Sequence, residues 1–507
     1  MNKNKKPNFL IFVVDQMQSF SMGCNGNKEV KTPNIDKLAS NGVTFKRAYC
    51  NNPVCTPSRS TMITGLLPRQ HGCLSNGRVL SQHIPNLPGV LHNHGYKTHS
   101  VGKLHYHPYV NDKMKLLAGE FSWEDKRLWD RGEITKLPKG YYGFDTHDFL
   151  GGHGRYCFGE YIKWLNEKDP TARDKYKIEN SYLHVRDAWR MNIPKELHYN
   201  KWIVEKTKEY LDGVEDNDNF FLWCSFPDPH LPFASCRPYS DMYNPEKLTL
   251  PKTWNNDHDH LEHLTKVRKY LYKAPLPLDE TYLREVMAQT YGMITHIDDS
   301  IGEIMKHLKD KELDKNTVIV FMSDHGEYLG SHNLVYKAAW QLEQTLRVPF
   351  IWSSPFAKNK GKERKEVVSL IDFAPTILEY AGIDEEEFCL RGLPQGEYKT
   401  LPGRSLVQAV EKNNNLEKIP ALVESDEDCY LGKIYRTRTI VEDRFKLTIY
   451  PHNGGGVLVD LKNDPDEEVN LYYDKKYGNI RNNLTEKMLT KLMVTDRLER
   501  PRICSTL

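Results

Sequence analysis

The chain has 507 residues, with 70 Lys+Arg against 68 Asp+Glu and a formal net charge of +2, a balance that speaks against nucleic-acid or polybasic membrane-surface partners. Hydrophobic residues make up 39% and charged residues 27%, as in a globular protein with a full core, and no apolar run approaches the roughly 18 residues of a membrane span. Ten cysteines in a chain this long do not make a disulfide framework.

Lys3, Lys5 and Lys6 precede an apolar run over 9–14 that Asp15 closes abruptly. The run is shorter than the ~7–15 residues of a secretory apolar region and no small-residue cleavage site follows. It reads as a buried parallel strand. A cytoplasmic protein is expected, or a periplasmic one if a leader was trimmed. The chain continues with a short helix over 34–39, a helix over 87–94 ending at Gly95, and a strand over 98–101. An amphipathic helix over 200–211 precedes an apolar strand at 220–225, and a long helix over 282–309 precedes a strand at 318–322. This alternation predicts an α/β domain over 1–384, with a large, mainly parallel sheet flanked by helices on both faces.

The pattern changes after Ala381-Gly382. An acidic run over 384–387 leads into Gly- and Pro-containing loops as far as Gly403. Two β-rich runs follow at 435–441 and 446–450, and Gly454-Gly455-Gly456 breaks the chain before a short strand at 457–460. A smaller C-terminal α+β subdomain over 385–507, built on an antiparallel sheet, is expected.

Four apolar strands end in polar clusters: Asp15-Gln16, Gly102-Lys103-Leu104-His105, Pro227-Asp228-Pro229-His230 and Ser323-Asp324-His325-Gly326. Open α/β sheets bind ligands outside the carboxyl ends of their strands, so parallel neighbours would bring the clusters to one crevice. Asp15 and Asp324 offer carboxylates, Gln16 a carbonyl and His325 an imidazole. That set suits Ca²⁺, Mg²⁺ or Mn²⁺ better than a thiolate-bound metal. Asp15 alone reads as a helix cap; the two pairs together with Cys55 favour a site. A lone Cys is ordinarily a buried hydrophobe. Cys55, however, is followed by Pro57 and by the permanent cation of Arg59. A helix starting near Pro57 would aim its positive end at the sulfur.

Cys55-x-Pro57-x-Arg59 followed by Met62-Ile63-Thr64-Gly65 resembles the signature of the type I sulfatases. The strand-end clusters and Pro229-His230-Leu231-Pro232-Phe233 stand in that family's order. The similarity spans about residues 7 to 382, and residues 458–471 resemble the family's C-terminal strand and turn. The resemblance implies an alkaline-phosphatase-like α/β enzyme in which Cys55 is converted to Cα-formylglycine by a maturation enzyme. The hydrated aldehyde is then the nucleophile against a sulfate monoester of a carbohydrate or small organic molecule. It implies one divalent cation, Ca²⁺ first and Mg²⁺ or Mn²⁺ otherwise, held by Asp15, Gln16, Cys55, Asp324 and His325. Arg59 would orient the formylglycine, and Lys103 and His105 would contact it and the sulfate. His230 and Lys337 would bind sulfate and leaving oxygens, one of them protonating the leaving group, while His105 takes the proton that reforms the aldehyde. Arg78, His107, Arg155 and Tyr156 lie in loops able to line the pocket.

Two positions depart from the commoner pattern: Gln16 replaces a second Asp and His325 an Asn. Both are typical of the branch with choline-sulfatase-like enzymes and phosphonate monoester hydrolases. A phosphonate monoester or phosphodiester hydrolase using the same nucleophile is therefore the second reading. A sulfatase-like binding protein with unconverted Cys55 is the non-enzyme alternative.

Overall fold

The computed structural model describes residues 6–110, 121–177, 183–185, 187–256, 278–337, 340–358, 360–386, 400–429, 433–451 and 455–495. Lys3, Lys5, Glu387, Gly454 and much of the loop before Gly403 lie outside the described residues.

The main sheet is built from β1 (Asn8–Val14), β2 (Val43–Tyr49), β3 (Tyr96–Gly102), β4 (Thr146–Gly151), β5 (Phe158–Gly159), β8 (Asn219–Phe226), β10 (Thr317–Ser323), β11 (Arg347–Val348), β12 (Phe350–Ser353) and β13 (Lys362–Ser369). A three-stranded sheet joins β6 (Leu183–Val185), β7 (Ala188–Met191) and β9 (Phe233–Cys236). Five strands, in the order β10-β1-β8-β3-β4, run parallel. On the far side β12 is antiparallel to β10 and β2, and β13 runs parallel with β2; β5 closes the other edge antiparallel to β4. The sequence predicts β1, β3, β8 and β10 within a few residues. It misses β2, β4, β12 and β13, which are amphipathic, polar at one end, or short.

Side-chain alternation explains why the sheet is buried on both faces. Leu10, Phe12 and Val14 of β1 point into one core, which the helices Tyr199–Asp212 and Glu280–Asp310 cover. Phe9, Ile11 and Val13 point into the other, under the helices Cys55–Thr64, Leu87–Asn93 and Phe373–Ala381.

The C-terminal sheet is antiparallel, in the order β14 (Ala421–Cys429), β15 (Lys433–Val441), β16 (Phe445–Tyr450), β17 (Gly455–Asp460). Strand β17 starts at Gly455, two residues before the expected 457, because Gly455 and Gly456 pair with Tyr450 and Ile449. Alternation splits its residues too. Leu422, Ile440, Leu447 and Leu458 form a small core with Leu484 and Met488 of the helix Gly478–Val494. Ala421, Val423 and Val441 face the main core. Among the described residues, no helix is long and apolar enough to cross a membrane.

Candidate active site

The polar ends of β1, β3, β8 and β10 meet as the parallel register requires. Val14 lies beside Ser323 and Phe226, and Gly102 beside Ser225. Backbone bonds tie the ends together: Asp15 N donates to Asp228 O at 3.0 Å, Asp324 N to Val14 O at 3.2 Å, and Lys103 N to Ser225 O at 3.1 Å. Gly102 permits the last of these. Its φ is +92° and a Cβ there would collide with Ser225 O.

Asp15, Gln16, Asp324 and His325 are all buried. Ligand atoms of Asp15, Cys55, Asp324 and His325 lie within 4.8 Å of one another. Gln16 has a left-handed backbone, φ 65°; its amide N–H donates to Asp324 Oδ1 at 3.0 Å, and its Oε1 accepts from Lys337 Nζ at 2.7 Å. His325 Nδ1 lies 2.9 Å from the Gly326 carbonyl, which can only accept. The ring proton is thereby fixed on Nδ1, and the Nε2 lone pair faces Cys55 Sγ at 3.3 Å. Burial, then Lys337, holds this imidazole down at about 4. A neutral imidazole whose Nε2 lone pair points into the cluster, two carboxylates and an amide carbonyl form a donor set that fits a divalent cation.

Cys55 opens the fully buried helix Cys55–Thr64, two residues earlier than the sequence suggests. Its Sγ lies 3.5 Å from Asp15 Oδ1 and 3.1 Å from Lys337 Nζ. Burial, reinforced by Asp15, raises the thiol above its ordinary value. As an unmodified thiol it is therefore protonated at neutral pH and a poor nucleophile.

Arg59, fully buried, donates from Nε to Asp324 Oδ2 at 2.7 Å and from Nη1 to Ser225 Oγ at 2.9 Å and Lys103 O at 3.1 Å. Burial opposes its charge, but Asp324 and Asp15 outweigh burial and keep it protonated. Lys103 Nζ donates to Asp15 Oδ2 and, at 2.7 Å, to His153 Nε2. Burial alone would raise Asp15, yet the Lys103 ammonium first, with the Arg59 guanidinium, holds it well below the carboxylate range.

Lys337 Nζ also reaches His230 Nε2 at 2.9 Å and His325 Nε2 at 3.1 Å. His230 Nδ1 sits 2.6 Å from the Leu231 carbonyl, so its Nε2 accepts from the lysine. Burial, then His153 and Lys337, drives His230 well below the usual histidine range. Burial works against the Lys337 charge, while Cys55, where it is a thiolate, and Asp15 and Asp324 raise it above the ordinary lysine value.

His105 lies within reach of the charges of Lys103 and Asp15, and burial, then Lys103, holds its imidazole well below the ordinary value. It stacks on Tyr109 with centroids 3.9 Å apart, its Nδ1 has no hydrogen-bond partner, and no hydrogen bond to Cys55 is present among the described residues. Buried Glu124 shapes its turn by accepting from the amides of His105 and Tyr106, both at 2.9 Å. Of the four loop candidates, Arg78 is exposed. His107 is buried against Tyr141 and Tyr142. Arg155 donates to Tyr156 Oη at 2.6 Å and lies over the Tyr156 and Trp189 rings.

Two site residues escape the sequence reading. His153 stacks on His230 at 3.6 Å between centroids and lies 3.2 Å from Asp15 Oδ2. It follows β4, whose Thr146-His147-Asp148 start hides a strand parallel to β3. Glu327, two residues past His325, accepts from Gln16 Nε2; burial pushes its carboxyl up, while the bonds it accepts from Leu329 N, Gln16 Nε2 and Tyr336 N favour the carboxylate.

Together these elements define a class: an α/β protein whose parallel strands end in one buried crevice, lined by carboxylates, neutral imidazoles and lysines around a cysteine at the first position of a buried helix. The sulfatase family profile matches residues 7–383, and the chain belongs to that family of hydrolases. A second profile, the C-terminal region of N-sulphoglucosamine sulphohydrolase, matches residues 330–494. An arylsulfatase of Clostridium perfringens is 30% identical over 93% of this chain and 91% of its own length. A multifunctional alkaline phosphatase superfamily protein of Trinickia caryophylli is 27% identical over 97% of this chain and 96% of its own. Among solved structures, a phosphonate monoester hydrolase of Agrobacterium radiobacter superposes with a TM-score of 0.78 at 23% identity, covering 97% of this chain and 96% of its own. A protein solved with its substrate D-glucosamine-2-N,6-O-disulfate gives 0.73 at 18%, covering 97% and 98%. At these identities the two structures speak to the fold.

Proposed function

We propose that this sulfatase-family enzyme hydrolyses a sulfate monoester of a sulfated sugar or small organic sulfate, after a maturation enzyme converts Cys55 to formylglycine. The observation that carries the reading is the set of metal-grade donor atoms within 4.8 Å of one another at Cys55, ringed by the cations of Arg59, Lys103 and Lys337. The whole-length arylsulfatase relative supports sulfate as the ester.

Asp15, Gln16, Asp324 and His325 would hold one divalent cation, Ca²⁺ by the oxygen-rich donors. When bound, the cation withdraws charge from the sulfate oxygens. The hydrated aldehyde at position 55 would supply the attacking hydroxyl and a second hydroxyl whose deprotonation releases the sulfate. Lys103 and Lys337 neutralise the ester's free oxygens. Lys337 carries the proton for the leaving oxygen, because it stays an ammonium while His230 stays neutral. His230 accepts a Lys337 N–H and so aims the ammonium. His153 accepts a Lys103 N–H beside Asp15 and so aims that ammonium; His105 is the base that would take the proton that reforms the aldehyde. Arg59 acts through Asp324, fixing the carboxylate rather than touching the ester.

A phosphonate monoester or phosphodiester hydrolase is the second reading, favoured by Gln16, whose neutral amide leaves the site one direct negative charge short of a two-Asp pair. Comparing kcat/KM on aryl sulfate, aryl phosphonate and aryl phosphate decides between them. The sulfate should be turned over best and the phosphate monoester should mainly inhibit. A phosphate monoester as best substrate would sink the reading.

A further inference from the structure

Gln16 and Lys337 meet in the crevice, and one carboxylate stands behind both. Glu327 is buried at 2% exposure. Its Oε2 accepts from Gln16 Nε2. Its Oε1 accepts from Leu329 N at 3.2 Å and from Tyr336 N, the amide next to Lys337. Both oxygens face donors only. On the other side of the Gln16 amide, Oε1 accepts from the Lys337 ammonium at 2.7 Å. A carboxylate on one side and an ammonium on the other leave the amide a single sense, with nitrogen toward Glu327 and oxygen toward the crevice. A reversed amide would oppose N–H to ammonium and carbonyl to carboxylate.

We propose that Glu327 is a positioning residue that locks the Gln16 carbonyl toward the cation site and, through the Tyr336 amide, fixes the chain that carries Lys337. Glutamine at 16 and glutamate at 327 then form one unit. The carboxylate that Gln16 itself lacks stands one hydrogen bond further out, where it orients a ligand. The idea rests on the reading that Gln16 faces a bound cation.

The unit makes a specific demand on substitutions. In Glu327→Gln the new side chain keeps one acceptor. Two backbone N–H groups compete for it, which turns its NH₂ toward Gln16. Gln16 can satisfy that NH₂ only by rotating its own oxygen away from the crevice. Exchanging the groups, Gln16→Glu with Glu327→Gln, restores a donor at 327, an acceptor facing it and an oxygen facing the crevice.

The test is Ca²⁺ affinity of the full-length protein, stripped with a chelator and titrated in competition with a chromophoric chelator, without any assay of turnover. Glu327→Gln should weaken Ca²⁺ binding by about 10–100-fold, the range for loss of a ligand's outer partner. Gln16→Glu should gain at least tenfold more affinity in the Glu327→Gln background than in the wild type, a coupling that a merely structural Glu327 would not produce. Should Glu327→Gln unfold, Glu327→Asp keeps the charge, shortens the reach and should still lose several-fold. Unchanged affinity in either single variant, or additive effects in the cycle, overturns the proposal. A wild-type chain that takes up no Ca²⁺, Mg²⁺ or Mn²⁺ overturns the cation reading and the proposal together.

Discussion

A buried charge cluster in the C-terminal sheet and the one in the crevice differ in what they leave open. In the C-terminal sheet Lys446 pairs with Glu467, both side chains 2% exposed, and with Glu343 at 3.5 Å; Glu467 also accepts from the Glu343 amide at 2.6 Å. Glu343 comes from the main domain's chain before β11, so the triad ties the two sheets together. In the crevice, by contrast, five acids and bases from four strand ends converge on a helix N-terminus and a sulfur. Among the described residues, one Arg59 nitrogen there has no hydrogen-bond partner. Burial and charge are common to both clusters. Position at the carboxyl ends of parallel strands, with lone pairs facing one point, belongs to the crevice alone. Buried charge by itself therefore points to architecture as readily as to chemistry.

Substitutions should separate the two. The largest effect is expected from Cys55→Ala, which should lower kcat/KM on an aryl sulfate by more than the ~10²–10⁴-fold of a lost general acid while leaving the melting temperature near wild type. A variant of near-normal rate would remove the nucleophile from the account. Asp324→Asn comes next. It should weaken Ca²⁺ binding more than Gln16→Asn, because it removes a charge rather than a methylene; calorimetry on both variants makes the comparison.

The opposite behaviour is expected of the triad. Lys446→Met leaves buried Glu467 without its lysine and Glu343 with Arg347 at 3.8 Å, and should cost about 3–5 kcal/mol of stability with kcat/KM unchanged. Burial pushes Glu467 up to about 7 against the pull of Lys446. A carboxyl raised in the folded state binds extra protons there, so its contribution to stability falls as pH rises from about 4.5 through 7. Without the lysine that loss grows, and denaturant midpoints should show a larger deficit at pH 8 than at pH 5. A deficit that is flat with pH would argue against ionised partners in the triad. The smallest effect is expected in the C-terminal core, where Leu484→Ala should cost about 2–3 kcal/mol, low in the usual range because the small cluster beneath an outer helix can collapse. Urea unfolding would register it, and activity should not move.

The crevice was largely legible because four of its elements carry the same mark, an apolar run cut off by a polar cluster. A strand buried on both faces cannot hide that edge. His153 carries no such mark, since β4 begins Thr146-His147-Asp148 and only its pairing with β3 reveals where it ends. Glu327 was invisible for another reason: its importance lies in a bond to a residue 311 positions away. The β-rich runs of the small sheet were visible as apolar segments, but its outer helix Gly478–Val494 was not. Only Leu484 and Met488 of that helix are buried, too few to stamp a period on the sequence.

The central claim is that Cys55 is a precursor rather than the nucleophile itself. It is tested most directly by mass spectrometry of the peptide spanning Cys55, from protein that turns over an aryl sulfate, with and without an aldehyde-trapping hydrazide. The expected peptide carries CHO where the cysteine had CH₂SH, and it gains the hydrazide. Active protein whose position 55 is wholly thiol, with no trapped adduct, would contradict it.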